Sequence, residues 1–193
     1  MSSRSCLFLN LGYNKQDFMK INIASGTGVG PTELAAFDHA LVNAGVANFN
    51  LIYLSSVLPP ASEISESDVP LKPNGGWGDR LYVVMAQKRT TQRNQEAWAG
   101  IGWIQDPETK KGLLVEHEGH SEAEVRADIE NSLGALAQNR GMQFGPINMH
   151  VVGKKCVALP VCALVVAVFE SSSWKGLAKD KVISSLINRS RGK

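Results

Sequence analysis

The sequence contains little cysteine, and what it has follows no recognisable pattern. The three cysteines, Cys6, Cys156 and Cys162, show neither metal-ligand spacing nor the even count of a disulfide framework. We therefore expect buried, reduced thiols and a cytoplasmic protein. The four histidines are equally uninformative, because the run His117-Glu118-Gly119-His120 lacks the spacing of a helical zinc motif. We expect no metal site.

The chain also lacks an excess of one charge and a long apolar run. Twenty basic and 18 acidic residues give a formal net charge of +2, so neither nucleic acid nor an anionic membrane is an expected partner. The longest apolar stretch, residues 157–169, is interrupted by Pro160 and is too short to span a bilayer. The apolar part of residues 1–10 is too short for a secretory signal.

A nucleotide-binding fingerprint is missing as well. Gly26-Thr27-Gly28-Val29-Gly30 suggests a phosphate-binding loop, but Pro31 breaks the dinucleotide pattern and no Lys-Ser/Thr pair follows. We predict instead a turn whose glycines let the backbone pack closely.

The composition that remains is that of one globular domain covering residues 1–193, with 44% hydrophobic and 20% charged residues. Apolar periodicity and helix-capping patterns predict about eight strands and two main helices, in runs rather than in strict alternation. This order favours the α+β class over a doubly wound α/β fold. The predicted strands are residues 5–12, 18–25, 51–58, 80–87, 97–104, 112–117, 145–153 and 157–169; the predicted helices are 31–44, 121–140 and, at the C-terminus, 174–187; a loop is predicted over 59–79.

Ser55 and Ser56 are the most informative residues of the chain. They interrupt the apolar run 51–58 just before Pro59-Pro60, where each buried hydroxyl needs a partner or costs about 1–3 kcal/mol. Such a step is also a place for self-cleavage: the second hydroxyl attacks the preceding carbonyl, the amide becomes an ester, and β-elimination leaves a new N-terminal ketone. The alternative is that both serines are simply hydrogen-bonded at a strand end.

Four stretches together closely resemble the pyruvoyl-dependent arginine decarboxylases. They join a helix, an Asn-x-Asn sequence, the Ser-Ser step with its Pro-Pro, and a Glu-His-Glu-Gly strand end, and comprise residues 30–45, 48–51, 55–60 and 112–119. The resemblance covers roughly residues 18–170, and the segment beyond about 171 looks like an addition to the family core.

The resemblance implies an αββα sandwich that cleaves itself into a β-chain (1–55) and an α-chain (56–193). Ser56 becomes the pyruvoyl cofactor, which forms a Schiff base with L-arginine and yields agmatine and CO₂. The αβ units are expected to assemble as a homotrimer or a hexamer, with sites between subunits and no metal.

The resemblance also assigns roles to four further residues. Asn50 assists the cleavage at Ser55 and Ser56, although it also suits a turn at the strand entry. Glu116 protonates the α-carbon after CO₂ leaves; its apolar neighbours predict partial desolvation, which favours a protonated carboxylic acid, but Glu118 offers the same chemistry. Asp38 binds the guanidinium group from a neighbouring subunit, unless it is a solvated helix residue.

The fourth, Leu41, either lines the aliphatic part of the pocket or belongs to the core. Loop 61–79 is more polar and richer in glycine than the family pattern suggests, so the decarboxylation is better supported than the arginine specificity. Two alternatives stay open: the same chemistry on another amino acid, such as aspartate or lysine, and an unprocessed homologue that acts as a binding or assembly protein.

Overall fold

The computed structural model describes residues 18–174, which form nine strands and two helices. The predicted strand 5–12, and the predicted C-terminal helix beyond Trp174, lie outside this range. The elements are β1 (Met19–Val29), α1 (Glu33–Ala44), β2 (Asn50–Tyr53), β3 (Val57–Leu58), β4 (Ser62–Ser67), β5 (Arg80–Thr90), β6 (Glu96–Gln105), β7 (Gly112–Gly119), α2 (Glu122–Arg140), β8 (Asn148–Lys155) and β9 (Val161–Ser172).

The strands form two sheets that pack face to face between the two helices. The first sheet has the order β2-β5-β9-β1-β4 and the second has the order β3-β7-β6-β8. The β2–β5 and β1–β4 pairs are parallel, and the other strand pairs among the described residues are antiparallel. Helix α1 covers the outer face of the first sheet and α2 that of the second. The predicted α+β class and αββα layering are therefore confirmed.

Strand β9 lies at the centre of the first sheet, as its small apolar residues predict. Residues 161–169 are all buried. Because neighbouring side chains of a strand point to opposite faces, Ala163 and Val165 join the core between the sheets, whereas Cys162 and Leu164 pack under α1. Burial on both faces explains why polar residues are missing from this run.

The glycines of residues 26–30 continue β1 to Val29, so the predicted turn was wrong. The predicted close packing was right. A Cβ at Gly26 or Gly28 would overlap the backbone of α1 at Ala40 or Ala36. The helix begins after Thr32, whose side chain accepts a hydrogen bond from Ala35 N, and ends at Gly45 with φ 82°.

Helix α2 matches its predicted bounds. The Ser121 side chain accepts a hydrogen bond from Glu124 N at the N-terminus, and Gly141 ends the helix in the left-handed conformation. Val125, Ile129 and Leu133, spaced four residues apart on one face of the helix, are fully buried against the second sheet. Among the described residues, no helix is both long enough and apolar enough to cross a membrane.

Two predictions around the Ser-Ser step were wrong. Residues 51–58 do not form one buried strand, because β2 belongs to the first sheet and β3 to the second. Residues 59–79 are not all loop, because β4 pairs in parallel with β1. Hydrophobic periodicity misled the prediction at both places for physical reasons. Strand β2 is largely exposed despite its apolar residues, and β4 is an edge strand made of serines and glutamates around the one apolar residue Ile64.

Candidate active site

The Ser55-Ser56 step lies where the chain crosses from one sheet to the other. On one side of the step, Leu54 N donates to Val83 O at 2.9 Å and so extends the pairing of β2 with β5. On the other side, Leu114 N donates to Ser56 O at 2.9 Å, next to the pairing of β3 with β7. The peptide bond between the two serines is thus held from both sheets.

Ser56 adopts an unusual backbone conformation. Its φ is 62°, in the left-handed region that side-chain-bearing residues rarely occupy. Holding a non-glycine residue there costs about 1–2 kcal/mol. Fixed hydrogen bonds on both sides of the step supply the constraint that maintains it. Strain of this kind clusters at functional sites. Because Ala61, Asn94 and Lys110 also have a positive φ, the strain marks this peptide bond only together with the contacts of the Ser56 side chain.

Glu116 reaches the step from β7. Ser56 Oγ donates to Glu116 Oε1 at 2.8 Å. The other candidate acid, Glu118, forms an ion pair with Lys88 at 3.3 Å instead. Glu116 is exposed, so the partial desolvation predicted for it is absent from the packing of this chain. The geometry brings Ser56 and Glu116 together and separates Glu118 from them.

Two cavities flank the crossing. The larger, about 380 Å³, opens at the end of the core between the sheets and is lined mainly by apolar side chains of the strand ends: Met19, Leu54, Ser55, Val57, Pro59, Tyr82, Phe169, Glu170 and Ser172. The smaller, about 270 Å³, is more polar and is lined by Tyr53, Met85, Ala86, Gln87, Glu116, His117 and Glu118. Ser55 therefore lines one cavity, and the acid that Ser56 contacts lines the other.

Tyr53 is a residue of this site that sequence reasoning missed. It lies two residues before Ser55 and shares the smaller cavity with Glu116. Desolvation raises the pKa of its phenol, while the positive charge of Arg89 opposes that rise. The phenol therefore keeps its proton at neutral pH and remains a hydrogen-bond donor. In the sequence, nothing distinguishes Tyr53 from an ordinary aromatic strand residue.

Asn50 lies at the opposite end of β2 from the serines. Its Nδ2 donates to Gly78 O at 2.6 Å. At about 3.3 Å per residue, Leu54 is roughly 13 Å away along the strand, and Ser55 comes after it. An asparagine side chain does not bridge that distance, so the structure does not bring Asn50 and the Ser-Ser step together.

Asp38 is exposed on α1, whereas Glu116 belongs to the second sheet. Leu41, also on α1, is buried in the core under this helix, which is the second of the two positions that the sequence left open. Asp38 has apolar neighbours one turn away on either side, since Leu34 is 68% exposed and Val42 is 53% exposed. Residues i and i+4 share a helix face, so the three form one surface stripe.

No group of three or more His, Cys, Asp or Glu side chains within residues 18–174 is arranged to hold a metal ion. The group that the Ser-Ser step implies, a pyruvoyl ketone, requires a serine whose preceding peptide bond is held rigidly and whose hydroxyl has a proton acceptor. Ser56 meets both requirements, through the two flanking hydrogen bonds and through Glu116.

Comparison with known proteins leads to the same chemistry. The family model described as pyruvoyl-dependent arginine decarboxylase matches residues 20–173. Proteins of that name from Picrophilus torridus and Halobacterium salinarum are 36% identical over 128 residues and 46% identical over 85 residues. These alignments cover 64% and 44% of this chain, and 70% and 51% of the two relatives.

A solved structure of a pyruvoyl-dependent histidine decarboxylase is similar over 78% of this chain and 70% of its own, at 12% identity and a TM-score of 0.39. The family match alone covers most of the described residues, including the Ser-Ser step, Asp38 and Glu116. The chain therefore belongs to the pyruvoyl-dependent arginine decarboxylase family.

Proposed function

We propose that this protein cleaves itself between Ser55 and Ser56 and then decarboxylates L-arginine to agmatine and CO₂. The observation that carries the proposal is the Ser56 site itself. A strained serine stands at the crossing between two sheets, with its hydroxyl on a carboxylate. The family supplies the substrate, since the relatives are named as arginine decarboxylases.

Self-cleavage uses the contact between Ser56 and Glu116. The Glu116 carboxylate is placed to accept the hydroxyl proton while Ser56 Oγ adds to the carbonyl carbon of Ser55. The C–N bond then breaks, which leaves an ester and a free amino group on Ser56. Loss of the Ser56 α-proton expels the Ser55 carboxylate, and hydrolysis of the resulting enamine releases ammonia and leaves the ketone.

In the decarboxylation, the pyruvoyl group supplies an electron sink for the pair left on the α-carbon when CO₂ departs. The chain supplies the remaining functions. Glu116, beside the new N-terminus, is placed to hold the proton that the α-carbon takes up. The protonated Tyr53 phenol offers a donor in the same cavity. Asp38 provides the carboxylate that a guanidinium recognises.

Asp38 and Asn50 come, in this proposal, from a neighbouring protomer of a homotrimer or of a hexamer built from trimers. Two exposed apolar surfaces support this arrangement. The α1 stripe places Asp38 between Leu34 and Val42, and the serine step is bordered by Tyr53 and Val57, which are 60% and 55% exposed. Packing one surface on the other would bury both and would desolvate Glu116, which is exposed in the single protomer.

The free, buried thiols of Cys156 and Cys162 fit the reducing cytoplasm as the place of the reaction. Burial raises the pKa of Cys162 to about 11, so this thiol stays protonated and takes no part in the chemistry.

Intact-mass measurement of the purified protein under denaturing conditions tests the cleavage. We expect two fragments that divide between residues 55 and 56, with the larger one lighter by one ammonia than its serine-initiated form. Ser56→Ala should stay a single chain, because the attacking hydroxyl is gone. Ser67→Ala removes a hydroxyl that donates to Val69 O and accepts from Val69 N, and this variant should cleave like the unchanged protein.

A substrate panel tests the specificity. Arginine should be decarboxylated, whereas aspartate and lysine should not, because the first lacks a cation to pair with Asp38 and the second lacks the planar guanidinium. Turnover of aspartate or lysine without turnover of arginine would overturn the specificity and leave the cleavage chemistry intact. A single, full-length mass under all processing conditions would overturn the enzyme assignment and favour a binding or assembly protein.

A further inference from the structure

The carbonyl of Gly78 is shared by two donors from distant parts of the chain. Asn50 Nδ2 donates to it at 2.6 Å, and the indole Nε1 of Trp174 donates to it at 2.9 Å. A backbone carbonyl has two lone pairs, so both bonds form together. Asn50 begins β2, whereas Trp174 lies just past the end of β9 and immediately beyond the family match at residue 173.

Trp174 is held in place by further contacts. The guanidinium carbon of Arg80 lies 4.7 Å from the centre of the Trp174 ring. Arg80 Nη2 donates to Ser173 O at 3.0 Å, and Ser173 Oγ donates to Asp79 Oδ2 at 2.8 Å. We call these five residues, Gly78, Asp79, Arg80, Ser173 and Trp174, the clasp.

Sheet order explains how the clasp forms. In the first sheet β5 lies between β2 and β9, and Arg80 at the start of β5 pairs with Ser172 at the end of β9. The two residues after Ser172 therefore cross the beginning of β5 and reach the loop beside β2. Arg80 Nε is buried without a hydrogen-bond partner among the described residues, so the guanidinium depends on Ser173 and Trp174 for its polar and ring contacts.

The clasp also fixes the loop against β2 through the backbone. Gly78 N donates to Asn48 O at 2.8 Å, and Asn50 N donates to Asp79 O at 2.8 Å. Gly78 has φ 80°, a conformation suited to glycine, and Asp79 Oδ2 accepts from Gly76 N at 2.8 Å. These bonds form one small network around the Gly78 carbonyl, and among the described residues 18–174 Trp174 is the member of it that lies beyond the family match.

We infer that Trp174 is a positioning residue for Asn50. Of the Asn50 amide atoms, only Nδ2 can donate to a carbonyl, so the bond to Gly78 fixes the orientation of the amide. The second N–H on Nδ2 remains available as a donor. Trp174 keeps that carbonyl in place. This inference rests on the proposed function, in which Asn50 assists self-cleavage, and it gives the segment after the last strand control over the rate of processing.

The test compares Trp174→Phe with the unchanged protein. Phenylalanine keeps an aromatic ring for Arg80 but is smaller than the indole and has no N–H, so the hydrogen bond to Gly78 is lost. We expect self-cleavage, followed by intact mass over time, to slow by about tenfold, a smaller factor than the 10²–10³ typical for loss of a donor that contacts the reacting atoms. The thermal midpoint should change little.

Trp98→Phe is the matched control. It also removes an indole N–H, in this case from a 2.7 Å bond to Glu96 Oε2 in the second sheet, and it should leave the cleavage rate unchanged. A second comparison places Trp174→Phe in an Asn50→Ala background. If Trp174 acts through Asn50, the substitution has no further effect there; a purely structural role would slow cleavage in both backgrounds.

The possible outcomes distinguish failure of the inference about Trp174 from failure of the proposed function. Cleavage of Trp174→Phe at the rate of the unchanged protein would overturn the inference and leave the proposed function standing. An equal slowing with and without Asn50 would also overturn it. Absence of cleavage in the unchanged protein would overturn the proposed function, and the inference with it.

Discussion

The two helices cover their sheets in different ways, although both lie over glycine-rich strands. Under α1, the glycines at 26 and 28 of β1 face the helix backbone itself. Under α2, the glycines at 100 and 102 of β6 face side chains, those of Val125, Ile129 and Leu133. The backbone of α1 packs directly on the backbone of β1, a contact that we call the backbone seat. Helix α2 instead contacts β6 through its branched side chains.

The solvent-facing sides of the two helices also differ, in the polarity of their exposed residues. Helix α1 exposes Leu34, Asp38 and Val42, an apolar stripe around a single acid. Helix α2 exposes charged residues, including the ion pair of Arg126 with Glu122 at 2.8 Å. In the proposed function Asp38 on α1 binds the substrate, and no residue of α2 has an assigned role. The packing of α1 on the backbone of β1 fixes the height and rotation of this helix and hence the position of Asp38, whereas α2 shields its sheet from water.

The largest effect is expected at the backbone seat. Gly28→Ala places a methyl group into the carbonyl of Ala36, which has no rotamer to change, so α1 has to move away from β1. We expect the free energy of unfolding to fall by about 3 kcal/mol, at the upper end of the cost of overpacking. Urea denaturation measures it. A loss under 1 kcal/mol would show that α1 adjusts easily and that its seat is not rigid.

Asp38→Asn tests the outer face of the same helix. Replacing the carboxylate removes the charge from the proposed guanidinium contact, so KM for arginine should rise by about 10- to 100-fold, the usual worth of a hydrogen bond to a charged group. Self-cleavage and the unfolding midpoint should stay unchanged. Steady-state kinetics with arginine decide the outcome.

Glu130→Gln is the control for that substitution, since Glu130 is an exposed acid on α2. It should leave KM unaltered. An equal rise in KM for both variants would indicate a general electrostatic effect and would remove the distinction between the two helices.

Gly100→Ala should be milder than Gly28→Ala. The new methyl would lie 2.8 Å from Val125 Cγ1 and 3.0 Å from Ile129 Cδ1, and both side-chain ends can shift by a few tenths of an ångström. We expect a loss of about 1–2 kcal/mol in the free energy of unfolding. The processed fraction and KM should not change. If Gly100→Ala lowered the free energy of unfolding as much as Gly28→Ala, contacts to side chains would hold a helix as rigidly as contacts to the backbone.

Much of the layering was predictable from the sequence because it depends on local patterns. The spacing of Val125, Ile129 and Leu133 defined α2, and the small apolar residues of β9 indicated a strand buried on both faces. The polar edge strand β4 was not predictable, because its serines and glutamates pair with β1 through backbone groups that are the same in every residue.

In the candidate site, too, the features that depend on local sequence were predictable and those that depend on long-range contacts were not. The Ser-Ser step was visible as two hydroxyls in an apolar run, and Glu116 as an acid at a strand end. The switch of sheets at Ser56, its positive φ, and the choice of Glu116 over Glu118 depend on contacts between residues about 60 positions apart. No local pattern encodes such contacts. The clasp on Gly78 has the same origin, since Trp174 lies 96 positions away in the chain.

The smallest effect is expected inside α2, and it has the opposite sign. Gly134 lies in the helix interior, and a Cβ there would meet nothing within 4 Å. Alanine should therefore raise the free energy of unfolding by about 0.5–1 kcal/mol, since it removes the entropic cost of glycine in a helix without a clash. The midpoint in urea should move upward while KM and the cleavage rate stay constant. Helix α1 has no interior glycine, so of the two helices only α2 can gain stability from this kind of substitution. If Gly134→Ala became more stable but slower in cleavage, α2 would be coupled to the active site.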